Sequence, residues 1–236
     1  MAFPPCILIT GATRGIGQAI ARRFATAGYA LALSARTTSD LERVGKALKR
    51  EGAADLLLLP ADLSTPEGAG WVAEEALRRW PPPEVLVNNA GRFAAGSILE
   101  APEGQLEALM GLNLYAPYRL TRALAPAMRQ AGRGHLVNIC SIAGRQVFPD
   151  RGAYAMTKHA LLAFSRTLQL ELQDSGLRTT TILPGPTDTS SWAEAELPPG
   201  ALLPPEAVAD AVWTACHLSP DAVAEEIVLQ PRRRWL

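Results

Sequence analysis

The 236-residue sequence predicts a single α/β domain: a doubly wound, seven-stranded parallel sheet with helices on both faces. Three observations predict it. Seven short apolar runs are continuous rather than alternating, the pattern of strands covered on both sides. The segments between them carry apolar residues at three- and four-residue spacing, the pattern of amphipathic helices. No internal repeat or domain linker interrupts the alternation, since Pro81-Pro82-Pro83 is a stiff connector too short to join domains. A chain of this length buries a substantial core whether it forms one large domain or two small ones, and one is the simpler reading.

The elements follow in order. "CILIT" (6–10) predicts the first strand, and a glycine-rich turn leads into a helix over 17–28. "YALALSA" (29–35) and "LLLLP" (56–60) predict the second and third strands, with a helix over 40–51 between them. A helix over 70–80 precedes the fourth strand, "VLVN" (85–88), and one long helix over 106–130 precedes the fifth, "HLVNI" (135–139). A helix over 154–176 leads to "TTTIL" (179–183), and "EIVLQ" (226–230) predicts the last strand. Gly28 and Gly176 stand where left-handed helix caps are expected.

Composition narrows the function classes. With 23 basic and 23 acidic residues the chain gives no reason to expect a nucleic-acid partner or an anionic membrane surface. Arg232-Arg233-Arg234 reads as a solvated tail. The start lacks the charged and long apolar regions of a signal peptide. No apolar run approaches the ~20 residues of a membrane span. Cys6, Cys140 and Cys216 are odd in number, far apart and in apolar surroundings, which suits buried thiols in a reducing cytoplasm. His135, His159 and His217 show no ligand spacing, so no metal is expected.

Two stretches carry chemistry. Directly after the first strand, "TGATRGIG" (10–17) opens a helix. Gly11 permits a tight turn, Gly15 lets backbone approach a pyrophosphate, and Gly17 allows close helix packing. The N–H groups of the helix start then face the phosphates. The second stretch is "YAMTK" (154–158). Only three residues are lysine (Lys46, Lys49 and Lys158), and Lys158 stands one helical turn from Tyr154, one of four tyrosines. Residues at i and i+4 share a helix face, so both side chains project into the crevice at the carboxyl ends of the strands. Reducing a carbonyl leaves negative charge on oxygen, and a donor must supply a proton there. A phenol at its ordinary ~10 is poorly matched to neutral pH. One ammonium ~4 Å away, at an effective dielectric of ~20, contributes about 4 kcal/mol, enough to bring a phenol near ~7.

The glycine spacing, "NNAG" (88–91), Asn113, Ser141, the Tyr154–Lys158 pair and "PGPTDT" (184–189) occur in order along almost the whole chain. Together they resemble the short-chain dehydrogenase/reductase family, whose domain is a Rossmann fold. The resemblance implies a catalytic tetrad. Tyr154 acts as general acid and base, Ser141 polarises the substrate oxygen, and Lys158 also bonds the nicotinamide ribose. The backbone of Asn113 holds a water that relays protons to Lys158. It also implies a cofactor cleft of Gly11, Thr13, Arg14, Gly15, Ile16 and Gly17, with Asp62 and Leu63 at the adenine. Asn89, Ala90 and Gly91 continue that cleft, and Pro184, Gly185, Thr187 and Thr189 lie against the carboxamide.

An NAD enzyme places an acid at the end of the second strand to accept from the ribose 2′-hydroxyl. Here Ala35 and Arg36 stand instead, with Arg14 in the glycine loop, which predicts NADP(H). The loop "AGRQVFPDRG" (143–152), with Val147 and Phe148, is expected to line the substrate pocket together with Phe93, Trp192, Ser141 and Tyr154, and its aromatic residues suit a planar or bulky apolar carbonyl or alcohol. The expected function is NADPH-dependent carbonyl reduction. "SARTTSDLERV" (34–44), "DTSSW" (188–192) and the C-terminal stretch resemble bacterial sepiapterin reductases, so a pterin is one alternative. A 3-oxoacyl thioester is another, with Arg145 and Arg151 as the basic residues for an acidic carrier. A silent NADP-sensing regulator is the alternative outside enzymes, and the intact Tyr154–Lys158 pair argues against it. Apolar residues on more than one face of the helices over 105–130 and 152–175 (Leu109, Leu112, Leu120, Leu124; Leu161, Leu162, Phe164, Leu168, Leu172) predict a homodimer or homotetramer.

Overall fold

A computed structural model describes residues 3–190 and 198–233, so Trp192 and Arg234 lie outside the described residues. The strands are β1 (Cys6–Thr10), β2 (Ala30–Ala35), β3 (Leu56–Pro60), β4 (Val85–Asn88), β5 (Gly134–Ile139), β6 (Leu177–Pro184) and β7 (Glu226–Leu229). They form one parallel sheet in the order β3-β2-β1-β4-β5-β6-β7. The helices are α1 (Gly15–Ala25), α2 (Thr38–Arg50), α3 (Pro66–Arg79), α4 (Gln105–Met110), α5 (Ala116–Gln130), α6 (Gly152–Glu171) and α7 (Pro205–Cys216).

The strands read as unbroken apolar runs because each face has its own cover. Ile7 and Ile9 enter a core with Phe24 of α1, Val44 of α2 and Val212 of α7. Leu8, pointing the other way, enters a second core with Val72 of α3 and Leu120 of α5. The strand period of two thus distributes one run between two helix layers. Between β1 and β4 the strand order reverses, and the loops leaving their carboxyl ends diverge into a crevice.

Four features depart from the sequence reading. The helix expected over 106–130 is broken: Gly111–Tyr115 is a π-helical segment between α4 and α5, and it carries the buried Asn113. The apolar period continues through Gly-Leu-Asn-Leu-Tyr, which is why the break is invisible in the pattern. The helix expected to reach Gly176 ends at Glu171, and Gly176, at φ 75°, turns the chain into β6. Helix α7 was not anticipated, although Pro204 and Pro205 suit its N-terminus. Finally, Leu109, Leu120, Leu124, Leu161, Leu162 and Leu168 are buried within one chain, because α5 also packs on α3, and α4 on α6. These leucines therefore do not require a second chain. The large apolar residues left exposed on this side are Tyr115, Tyr118, Met156 and Leu170.

Among the described residues no helix is long and apolar enough to cross a membrane, and no group of three His, Cys, Asp or Glu could hold a metal ion. Arg232 and Arg233 are exposed. Burial pushes the Cys6 thiol up to about 11, which keeps it protonated and unreactive.

Candidate active site

The glycine loop is built by close backbone approach. Gly11 and Gly15 hold left-handed φ values of 65° and 51°. A Cβ on Gly17 would sit 2.3 Å from the Gly11 carbonyl oxygen and 2.4 Å from Asn89 Nδ2. That side chain ties β4 to the loop: Asn89 Nδ2 donates to the carbonyls of Thr10 (2.8 Å) and Gly11 (3.1 Å). The N–H groups of Asn89 and Ala90 both donate to Thr10 Oγ1 at 2.9 Å. Helix α1 begins with no side-chain cap and no acidic residue in its first turn, so its N-terminal N–H groups face the cleft uncompensated. The segment after β6 closes over this loop, with Thr189 Cγ2 3.0 Å from where a Gly15 Cβ would stand. It is held by the Thr187 hydroxyl on the Gly185 carbonyl (3.0 Å) and by a bridge between Thr187 and Leu203.

At the end of β2, Ala35 and the exposed Arg36 border the cleft together with Asp40. Asp62, after β3, accepts from the hydroxyl (2.7 Å) and N–H (3.0 Å) of Ser64. These two bonds, with the Arg36 charge nearby, hold its carboxyl below the ordinary range. The exposed Arg14 lines the cleft as well, so two guanidiniums flank the end where a ribose 2′ substituent would lie.

At the other end Ser141 lies two residues beyond β5, where its Oγ accepts from the Ala143 N–H (3.1 Å) and caps a 3₁₀ turn over Ile142–Gly144. Tyr154 occupies the first turn of α6, and Lys158 the next. Lys158 is only 5% exposed; its Nζ donates to the Ile139 carbonyl (3.0 Å) and lies 5.8 Å from the Tyr154 ring centre. Asn113 does not line the cleft but clamps its wall. Its Oδ1 accepts from the Arg92 N–H (2.8 Å), and its Nδ2 donates to the Arg92 carbonyl and Thr157 Oγ1 (both 3.0 Å). Thr157 in turn donates to the Tyr154 carbonyl at 2.8 Å. Phe93 meets the Tyr154 ring edge-on at 5.1 Å.

These ends belong to one cleft of about 670 Å³ along the carboxyl ends of the strands. Thr13, Ile16, Leu63, Gly91 and Pro184 line it, as do Ser141, Tyr154, Lys158, Phe93 and Phe148. Gly17 supports the loop from behind. Val147 is 76% exposed and lies outside the cleft, because the turn over 145–150 points it to solvent while Phe148 points inward. Sequence reading missed Arg92 as a cleft residue, along with Ile142 and Asp40; Arg151, within the loop over 143–152 expected at the pocket, does line the cleft. In a chain with 23 basic residues an arginine gives no signal by type alone. Arg145, the other residue considered for carrier docking, is paired with Glu226, which it shares with Arg166.

Comparison with known proteins agrees with this geometry. The family model described as short chain dehydrogenase matches residues 5–198. A sepiapterin reductase of Chlorobaculum tepidum is 33% identical over 234 residues, covering 95% of both chains. The Bos taurus dehydrogenase/reductase SDR family member 7B is 34% identical over 227 residues, covering 94% of this chain and 69% of that protein. For its Rattus norvegicus counterpart the match spans 57% of that protein's length. An alcohol dehydrogenase from Thermococcus sibiricus, complexed with 5-hydroxy-NADP, superposes with a TM-score of 0.89 at 31% identity over 97% of both chains. The L-sorbose reductase of Gluconobacter frateurii, complexed with NADPH and L-sorbose, gives 0.90 at 28% identity over 97% and 96% of the two chains. The chain belongs to the short-chain dehydrogenase/reductase family of oxidoreductases.

Proposed function

We propose that this protein is an NADPH-dependent carbonyl reductase. The observation that carries the reading is that Ser141, Tyr154 and Lys158 open onto the same cleft as the glycine loop. The cleft fits a dinucleotide: left-handed Gly11 and Gly15 and the uncapped start of α1 suit a pyrophosphate. Arg36 and Arg14, with no carboxylate at position 35, suit a 2′-phosphate, and the solved relatives with NADP-type cofactors support the same choice. When bound, the nicotinamide supplies or accepts the hydride.

The chain's own residues do the rest. Ser141 Oγ, fixed as the cap of its turn, donates to the substrate oxygen and polarises the carbonyl. Tyr154 delivers the proton that the reduced oxygen needs, and takes it back in the reverse direction. Lys158 keeps a positive charge beside that phenol while anchored to Ile139. It reaches the nicotinamide ribose as a compact donor, a task a planar guanidinium suits less well. The Asn113 side chain is fully engaged in holding Arg92 and Thr157, so the part left to carry a proton-relay water is its backbone, in the π-helical segment. The protein works as a homodimer or homotetramer, supported by the exposed Tyr115, Tyr118, Met156 and Leu170 on the outer faces of the π segment, α5 and α6.

Tyr154→Phe tests the assignment: turnover should fall at least ~10²-fold while NADPH affinity stays nearly intact. Equal turnover in variant and parent would remove Tyr154 from the mechanism. A pterin substrate is the second reading, favoured by the sepiapterin reductase similarity over 95% of both chains. The pairing of Arg145 with Glu226 weakens the acyl-carrier alternative. NADPH consumption measured across pterins, diketones, quinones and acyl thioesters separates these substrates.

A further inference from the structure

One carboxylate and two guanidiniums tie three elements together behind the substrate wall. Glu226, the first residue of β7, accepts from Arg145 through Oε2 and from Arg166 Nε through Oε1, the latter at 2.7 Å. Arg145 is the C-cap of the 3₁₀ turn that Ser141 opens, and Arg166 stands on α6 two turns beyond Lys158. The Glu226 side chain is only 13% exposed, whereas both arginines reach it from the surface. A carboxylate so far withdrawn from water depends on its partners, and the Arg166 and Arg145 guanidiniums hold it below the ordinary carboxylate range. Gln169 of α6 fastens the same place, its Nε2 donating to the Glu225 carbonyl at 2.9 Å.

What this fixed point holds is the turn that forms the wall. Up to Gly144 the turn is set by packing on α6: a Cβ on Gly144 would stand 2.7 Å from Cys140 Sγ and 2.8 Å from the Lys158 carbonyl oxygen. The N–H groups of Arg145 and Gln146 donate to the Ile142 carbonyl at 3.0 and 3.1 Å and close it. Beyond them, among the described residues, no hydrogen bond reaches Val147, Phe148 or Pro149. The chain regains the wall at Asp150, whose carbonyl accepts from the Gly96 N–H at 2.7 Å. Phe148 lines the cleft from the middle of this span, so its place is set by the two ends. The Arg145–Glu226 pair is the end nearer Ser141.

We propose that Glu226 is a positioning residue for substrate binding: through Arg145 it holds the turn that places Phe148 in the cleft. Glu226 itself does not line the cleft. Its loss should weaken binding of carbonyl compounds bulky enough to meet Phe148, and leave the proton chemistry of Tyr154 and Lys158 in place. This rests on the carbonyl-reductase reading above.

The probes are benzil and diacetyl, diketones with aromatic and with methyl ends, reduced with NADPH by the whole protein. In Glu226→Gln, KM for benzil should rise about 3- to 10-fold, part of what a charge-assisted bond contributes, while kcat changes less than about twofold. Diacetyl, too small to fill the space beside Phe148, should keep its KM within about twofold. Arg145→Gln should reproduce the benzil effect, and the double variant should add nothing to it, since both changes remove one contact. A benzil KM unchanged in both single variants, effects that multiply in the double variant, or an equal rise for the two diketones overturns the proposal. Hydrogen exchange read by mass spectrometry needs no turnover: both variants should speed the Arg145 and Gln146 amides at least about fivefold and leave β5 as in the parent. Parent-like exchange in both variants overturns the proposal even where neither diketone is reduced, and NADPH consumption by the parent judges the reductase reading separately.

Discussion

Gly17→Ala tests the idea that the cofactor loop is a backbone contact rather than a flexible turn. The added Cβ would stand 2.3 Å from the Gly11 carbonyl oxygen and 2.4 Å from Asn89 Nδ2, and the nearer atom is main chain, which cannot rotate away. Something must shift, and the Asn89 bonds to the Thr10 and Gly11 carbonyls are the first to lengthen. Overpacking of this kind costs ~1–3 kcal/mol, and one weakened hydrogen bond adds about 1. Alanine's better helix propensity returns at most ~1, because the site lies in the first turn of α1. The net loss is about 1–3 kcal/mol. A chain of this length unfolds with an entropy of about 0.5 kcal/mol/K, so Tm should fall by about 2–6 °C. Because the displaced atoms form the phosphate-binding loop, NADPH affinity should fall at least ~10-fold, beyond the stability effect. Gly70→Ala is the control: in α3, with nothing within 4 Å of its added Cβ, it should raise Tm by about 2 °C and leave affinity alone. The assays are thermal unfolding by circular dichroism and NADPH fluorescence titration. Parent-like Tm and affinity in Gly17→Ala would refute the argument.

Three further outcomes are expected. Arg36→Ala should remove most of a 30- to 100-fold preference for NADPH over NADH, the equivalent of about 2–3 kcal/mol from a partly exposed pair of charge-assisted bonds, and Ala35→Asp should go further; a parent that prefers NADH in kcat/KM would falsify the cofactor assignment. His135, whose Nε2 lies 2.7 Å from Thr180 Oγ1 inside the sheet, is held by burial down at about 3. Its folded value lies below the unfolded ~6.5, so its contribution to stability is present above ~6.5 and is lost as pH falls, by about 2 kcal/mol between pH 7 and 5. Urea midpoints should show that slope in the parent and a flatter one in His135→Gln; equal slopes would count against it. Light scattering at micromolar concentration should give a dimer or tetramer, and a monomer would refute that proposal.

The parts legible in sequence are those governed by local rules. Each strand was readable because its apolar run is continuous, and the Tyr154–Lys158 pair because four residues make one helical turn. The glycine loop was readable because only glycine accepts the φ values of Gly11 and Gly15 without strain. What escaped depends on tertiary placement. The π-helical break at Asn113 hides inside an apolar period that a plain helix would share. The leucines of α5 and α6 read as an exposed second face because periodicity shows that a face is apolar but not which neighbour covers it. The loop over 143–152 was legible as a pocket wall, but which of its side chains enter was not: Phe148 and Arg151 line the cleft while Val147 faces solvent.

The two ends of the cleft differ in what holds them, and that difference bears on which properties can change independently. Lys158 is anchored to β5, and Asn113 is clamped between the Arg92 backbone and α6. Behind them Asn88 donates to Asn138 (2.8 Å), which donates to Ser165 (2.9 Å), crossing from β4 through β5 to α6 in a buried chain of amides. Moving the Asn113 side chain means breaking three hydrogen bonds at once, and moving Lys158 breaks its bond to Ile139, each with a desolvation cost of ~1–3 kcal/mol for a buried group left behind. Phe148 and Arg151 instead stand on a turn over 145–151 that is fastened to the rest of the wall at Gly96. Substitutions there leave the buried network untouched. On the proposed reading, the residues of the proton chemistry therefore stand beside a buried network tied to the scaffold, while the turn that carries Phe148 can vary without disturbing it.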